Sequence, residues 1–126
     1  MTLENILILS FLLVLIQITI PVLISLITNN VKLSYLFSPR DKEANTSIYI
    51  DRANRSLKNL FETLPIFIGV VLLSIINDVD NTSLAIIWLL ARIIYVPVYI
   101  IGINYLRTGI WAISLICLIL MSVNFL

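Results

Sequence analysis

The sequence has no histidine and one cysteine, Cys117, which lies inside an apolar run. A lone cysteine forms no disulfide within its chain. These two shortages argue against a Cys/His metal site, a Ser–His or Cys–His nucleophile pair and a histidine proton relay. Charge is scarce too. Only 12% of the residues are charged, against about 25% in an average soluble domain. The net charge of +1 gives no electrostatic footprint for nucleic acid.

What is present is apolar. The chain is 60% hydrophobic with a mean hydropathy of +1.08. Its 126 residues suit one compact unit, residues 1–126, in a membrane rather than two domains. Glu4 is the only charge before Lys32, so the start lacks the basic region of a signal peptide. The first apolar run is also long enough, at about 20 residues, to span a bilayer.

Four segments are expected to span. The first covers residues 6–27, with Pro21 predicting a bend and Gln17 and Thr19 predicting hydrogen bonds between helices. Asn29 and Asn30 stand near its boundary. Residues 32–50 read as a basic loop, with Ser38-Pro39-Arg40-Asp41 as a turn. The second segment covers residues 51–76, with Pro65 where its charged and apolar halves meet. Residues 77–82 (NDVDNT) read as a short acidic loop, with Thr82 or Ser83 as a cap for the next helix. The third segment covers residues 84–105 and contains Arg92 and Pro97. Residues 106–109 read as a tight connection carrying Arg107, and residues 110–126 as the fourth segment. Lys and Arg concentrate in the first and third loops. That bias predicts that both are cytoplasmic and that both termini lie outside.

The chemistry concentrates in the stretch DRANRSLKNLFETLP, residues 51–65. At about 100° per residue, Arg52, Arg55, Asn59 and Glu62 fall on one stripe of a helix. A charged stripe entering a membrane must face protein or water. Burial between subunits meets that need, with the second segment nearest the symmetry axis. Arg92, at membrane depth, needs a partner, and Glu62 is the expected one.

Arginine forks bind carboxylates, Asn59 offers donors and an acceptor, and Glu62 accepts from an ammonium group. This inventory suits a small zwitterionic ligand such as a peptide. A thiol in that ligand would be activated by a nearby arginine, with a tyrosine hydroxyl as a second donor. An alternative reading stands beside it. Arg52, Arg55 and Lys58 would be interfacial charges at lipid headgroups, and Arg92–Glu62 a structural ion pair.

The pattern R-x-x-R-x-x-x-N-x-x-E followed by proline (Arg52, Arg55, Asn59, Glu62, Pro65) resembles the signature of the MAPEG family. These are the membrane-associated proteins in eicosanoid and glutathione metabolism. Arg92, Tyr95, Pro97 and Tyr99, then Tyr105-Leu106-Arg107-Thr108, agree with it, and GINYLRTGIW looks most like its short bacterial branch. The resemblance implies an all-α membrane protein, a four-transmembrane-helix bundle forming a homotrimer in the bacterial inner membrane. It implies glutathione as co-substrate on the cytoplasmic side, alongside a hydrophobic small molecule. By position, Lys58, Asn59, Glu62, Tyr95 and Tyr99 match glutathione contacts, and Arg107 matches the thiolate-stabilising catalytic residue. The implied activity is that of a glutathione-dependent transferase or peroxidase. The alternative is a non-catalytic scaffold or binding protein of the same fold. A four-helix multidrug transporter fits poorly, because the first segment has no internal carboxylate.

Overall fold

A computed structural model describes residues 1–27 and 48–126. Asn29, Asn30, Lys32 and the turn expected at residues 38–41 lie outside the described residues. Four helices are described: α1 (Leu3–Ile27), α2 (Ile48–Asn77), α3 (Thr82–Ile101) and α4 (Asn104–Val123). All four are long and apolar enough to cross a membrane. In hydrocarbon every backbone N–H and C=O must be satisfied within the protein, which leaves the helix as the natural answer for such runs. The helices continue without a break through Pro21, Pro65 and Pro97.

The helices alternate in direction. One end of the bundle joins Asn81, at the start of α3, to Asn124, just beyond α4. The other end joins Arg52, near the start of α2, to the last carbonyls of α3. Helix α1 packs on α2 and α3, and α3 packs most extensively on α4.

The core follows the three-and-four spacing of a helix face. On α2 the buried side is Ala53, Ser56, Leu60, Leu64, Phe67, Val71 and Ser74. Phe67 stacks on Trp88 of α3 with ring centroids 3.7 Å apart. Ile6 and Leu13 of α1 and Cys117, Leu118 and Met121 of α4 complete this cluster. A smaller cluster of Ala91, Tyr95, Val98 and Ile110 lies between α3 and α4. The outer faces carry large exposed side chains such as Ile8, Leu12, Leu15, Leu72, Ile94 and Ile116, which lipid accommodates and water would not.

Polar groups tie the bundle at the acidic end. Asn81 is fully buried. Its Nδ2 donates to Ser74 Oγ (2.9 Å) and to the Met121 carbonyl (3.3 Å), and its Oδ1 accepts from Asn124 Nδ2 (2.6 Å). The cap residue of α3 is therefore Asn81 rather than Thr82 or Ser83, but its side chain is committed to α2 and α4. Asp80 supplies the capping bond instead, accepting from the Thr82 N–H at 3.2 Å. Hydrogen bonds from the Thr82 side chain and backbone hold the Asp80 carboxyl below its ordinary pKa.

Two expectations fail within the described chain. Gln17 makes no bond between helices: it is buried and neither amide atom has a partner. Thr19 returns its hydroxyl to the Ile16 carbonyl of its own helix, at 2.7 Å. A hydroxyl satisfied by the preceding turn has no need of a neighbouring helix.

A further correction concerns the connection before α4. It falls at residues 102–103, not 106–109. Gly102 takes φ 93°, and the N–H groups of Gly102 and Ile103 both reach the Val98 carbonyl (3.0 and 3.2 Å). A left-handed glycine that closes the last turn is a common helix stop. Arg107 consequently sits in the first turns of α4 and not in a loop.

Candidate functional site

The charged stripe of α2 divides. Arg52 turns away from the other members and donates Nη1 to the carbonyls of Ile100 (3.1 Å) and Ile101 (3.2 Å). It satisfies the carbonyl end of α3, where a cation is also favoured by the helix dipole. Arg55, Lys58, Asn59 and Glu62 line a cavity of about 370 Å³. Tyr95 and Tyr99 of α3 and Arg107, Thr108 and Trp111 of α4 form its other walls.

All six residues singled out from the sequence, Lys58, Asn59, Glu62, Tyr95, Tyr99 and Arg107, thus border one space. Three further ones do as well. Arg55 belonged to the stripe but not to the expected contacts. Thr108 was missed because residues 106–109 were read as a connection, and Trp111 because it fell in a segment read only as a span. Once α4 begins at Asn104, Arg107, Thr108 and Trp111 share a face at helical spacing.

Two arginines bracket the tyrosines. The Arg92 guanidinium lies 4.5 Å from the centre of the Tyr95 ring. Tyr95 meets Tyr99 edge to face, with centroids 5.5 Å apart and planes at 64°. Arg107 lies 4.7 Å from the Tyr99 ring centre. Each ring face attracts a cation, so the four side chains form a ladder running from α3 into α4. Tyr95 is buried, while Tyr99 and Arg107 are half-buried and face the cavity.

Arg92 does not pair with Glu62 within the chain. It is 1% exposed, and Nη1 donates to Asn59 Oδ1 at 3.0 Å. Its Nε and Nη2 have no partner. Glu62 is exposed and lines the cavity. The Asn59 amide is the group at hydrogen-bond distance, and a neutral oxygen satisfies one guanidinium nitrogen without burying a carboxylate.

The cavity therefore presents three cations, one carboxylate, an amide and two phenols. Arg107 adds its charge where α4 begins, at the positive end of the helix dipole. This suits a ligand with more than one carboxylate and one ammonium group. The volume is within the range of small-molecule sites, about 300–1,000 Å³. The lining holds no thiol and, among the described residues, no group of three or more His, Cys, Asp or Glu is placed to bind a metal. The chemistry open to it is binding, charge stabilisation and proton positioning at a reactive group that the ligand brings.

A family model described as the MAPEG family matches residues 5–126, essentially the whole chain. No curated protein and no solved structure gives a significant match.

Proposed function

This chain belongs to the MAPEG family, and on that premise we propose that it is a membrane-bound glutathione-dependent transferase or peroxidase. Its second substrate would be a hydrophobic electrophile or a lipid hydroperoxide. The observation that carries this reading is the convergence of Arg55, Lys58 and Arg107 with the single carboxylate Glu62 on one cavity. Glutathione has two carboxylates, one ammonium group and a thiol, and this donor set complements them.

In this reading Arg55 and Lys58 hold carboxylates, Asn59 donates to an acceptor and Glu62 accepts from the ammonium group. Bound glutathione supplies the thiol, whose sulfur either bonds to the electrophile as a leaving group departs or a double bond takes up the electron pair and a proton, or is oxidised with a second glutathione to the disulfide while the hydroperoxide is reduced to the alcohol and water. Arg107 favours the thiolate and so lowers the thiol's pKa. Tyr99, whose ring face is held by Arg107, places its hydroxyl as a second donor. Tyr95 backs Tyr99 and fixes its plane. The apolar outer faces of the helices give a hydrophobic co-substrate a lateral route from lipid.

The subunits assemble as a homotrimer, which removes the exposed charges of α2 from lipid. Arg52, Arg55, Lys58 and Arg107 lie on the cytoplasmic side of a bacterial inner membrane, and the loop with Asp78 and Asp80 lies outside with both termini.

Retention on immobilised glutathione, followed by a conjugation and hydroperoxide assay on the purified protein, tests the reading. Retention with turnover supports it. Retention without turnover on any electrophile or hydroperoxide favours a non-catalytic binding protein, a reading suited to a cavity with no thiol of its own. No retention and no turnover removes glutathione.

A further inference from the structure

We infer that Arg92 is a positioning residue: it locks the Asn59 amide with its oxygen turned away, so that Asn59 meets the cavity only as a hydrogen-bond donor. The site would then require an acceptor, a carboxylate or carbonyl oxygen, on the part of the ligand that Asn59 touches. This goes beyond the family's activity to a rule for what the cavity accepts. It rests on the glutathione reading only for the choice of probe.

The argument begins with Arg92 itself. It is one of the most completely buried side chains in the protein, yet it does not line the cavity. It reaches the site through two neighbours, the Asn59 oxygen at 3.0 Å and the Tyr95 ring at 4.5 Å. A guanidinium only donates. The atom of Asn59 that faces it must therefore be the oxygen, and this settles an orientation that an amide alone leaves ambiguous.

Asn59 is only half-buried and borders the cavity. With Oδ1 committed to Arg92, the atom left for the cavity is Nδ2. That group is not among the buried atoms lacking partners, so it stands open to whatever enters. Turning the amide over would aim its NH₂ at a buried cation and leave a third guanidinium nitrogen unsatisfied, beside Nε and Nη2. At membrane depth that is costly. The lock is therefore strong.

The test combines stability with binding. Asn59→Asp should raise thermal stability in detergent, because a carboxylate can neutralise Arg92 and satisfy more than one of its nitrogens. In an Arg92→Met background the same change should lower stability, since the carboxylate is then unpaired. Glutathione binding to Asn59→Asp should nevertheless weaken about tenfold, the size of one hydrogen bond to a charged group. Arg92→Met should weaken binding too, and Arg92→Lys, which still donates, should restore most of it. Asn59→Asp by itself would weaken binding through loss of its NH₂, so the readout specific to the lock is the loss of binding in Arg92→Met and its recovery in Arg92→Lys. The inference is overturned if Asn59→Asp changes stability equally in both backgrounds, or if it binds glutathione as the wild type does. If the wild type itself does not bind glutathione, the glutathione reading falls, and the stability comparison alone upholds or overturns the lock.

Discussion

The Arg52 guanidinium fills the space that a side chain on residue 102 would need: a Cβ on Gly102 would lie 2.8 Å from Arg52 Nη1. The same guanidinium bridges the carbonyls of Ile100 and Ile101. Residue 102 also sits at φ 93°, where a non-glycine residue costs about 1–2 kcal/mol. The arginine could swing aside, but only by giving up its bonds to α3. Gly102→Ala should therefore destabilise the protein by more than the backbone term alone. Arg52→Lys should lower the melting temperature in detergent and leave glutathione binding unchanged, because Arg52 does not line the cavity. A binding defect at full stability in Arg52→Lys would return Arg52 to the site.

At the other end, Asn81 holds α2, the C-terminal part of α4 and its own helix together. Asn81→Ala strands the Asn124 side chain and takes a donor from the Met121 carbonyl and from Ser74 Oγ, which keeps its bond to the Val70 carbonyl. The loss should be roughly 1–3 kcal/mol, read as a fall in thermal stability. Glutathione binding per folded molecule should be unaffected, because this junction lies at the opposite end of the bundle.

Glu62 carries the ammonium of the ligand in the proposed function, and Arg92 does not hold it. Glu62→Gln should leave the melting temperature of the ligand-free protein within error of wild type and weaken glutathione binding. A large loss of stability without ligand would instead indicate that Glu62 pairs with a cation across subunits.

Arg107 could merely anchor the start of α4 at the headgroups, a task lysine performs as well. In the proposed mechanism it would hold a thiolate with a directed guanidinium, and it lies over the Tyr99 ring, both of which lysine does differently. Arg107→Lys should preserve expression and assembly while lowering glutathione-dependent turnover about tenfold or more, as expected when a directed electrostatic contact is lost. Equal turnover by the two proteins would take Arg107 out of the chemistry.

The proposed assembly is motivated by α2. Arg55, Lys58 and Glu62 are exposed on one subunit at one end of a membrane helix. Mass measurement of detergent-extracted protein should give a homotrimer. A monomer or a two-fold dimer would leave those charges to be covered some other way.

Family, membrane class and number of spans were legible in the sequence, because they depend on local quantities. A run of apolar residues longer than the bilayer is thick becomes a helix whatever it packs against, since the solvent offers its backbone no alternative. The stripe of α2 was legible because its residues are neighbours on one helix. The boundary of α3 was less so. The connection was read at residues 106–109, four residues late, because the stop at Gly102 is marked by a contact between residues 48 positions apart, Arg52 and the Ile100 carbonyl.

What tertiary structure alone decided is which of the polar side chains meet. Spacing put Arg52 with Arg55, Asn59 and Glu62, but the end of α3 draws Arg52 away to unsatisfied carbonyls. Spacing offered Glu62 to Arg92 by charge, while packing brought Asn59 to it. Thr108 and Trp111 joined the cavity only when α4 was set against α3. Helices apolar on nearly every side show little of which face will pack. The sequence therefore determined that polar groups had to be gathered at one end of a four-helix membrane protein, and the rotation of each helix against its neighbours determined which atoms would touch.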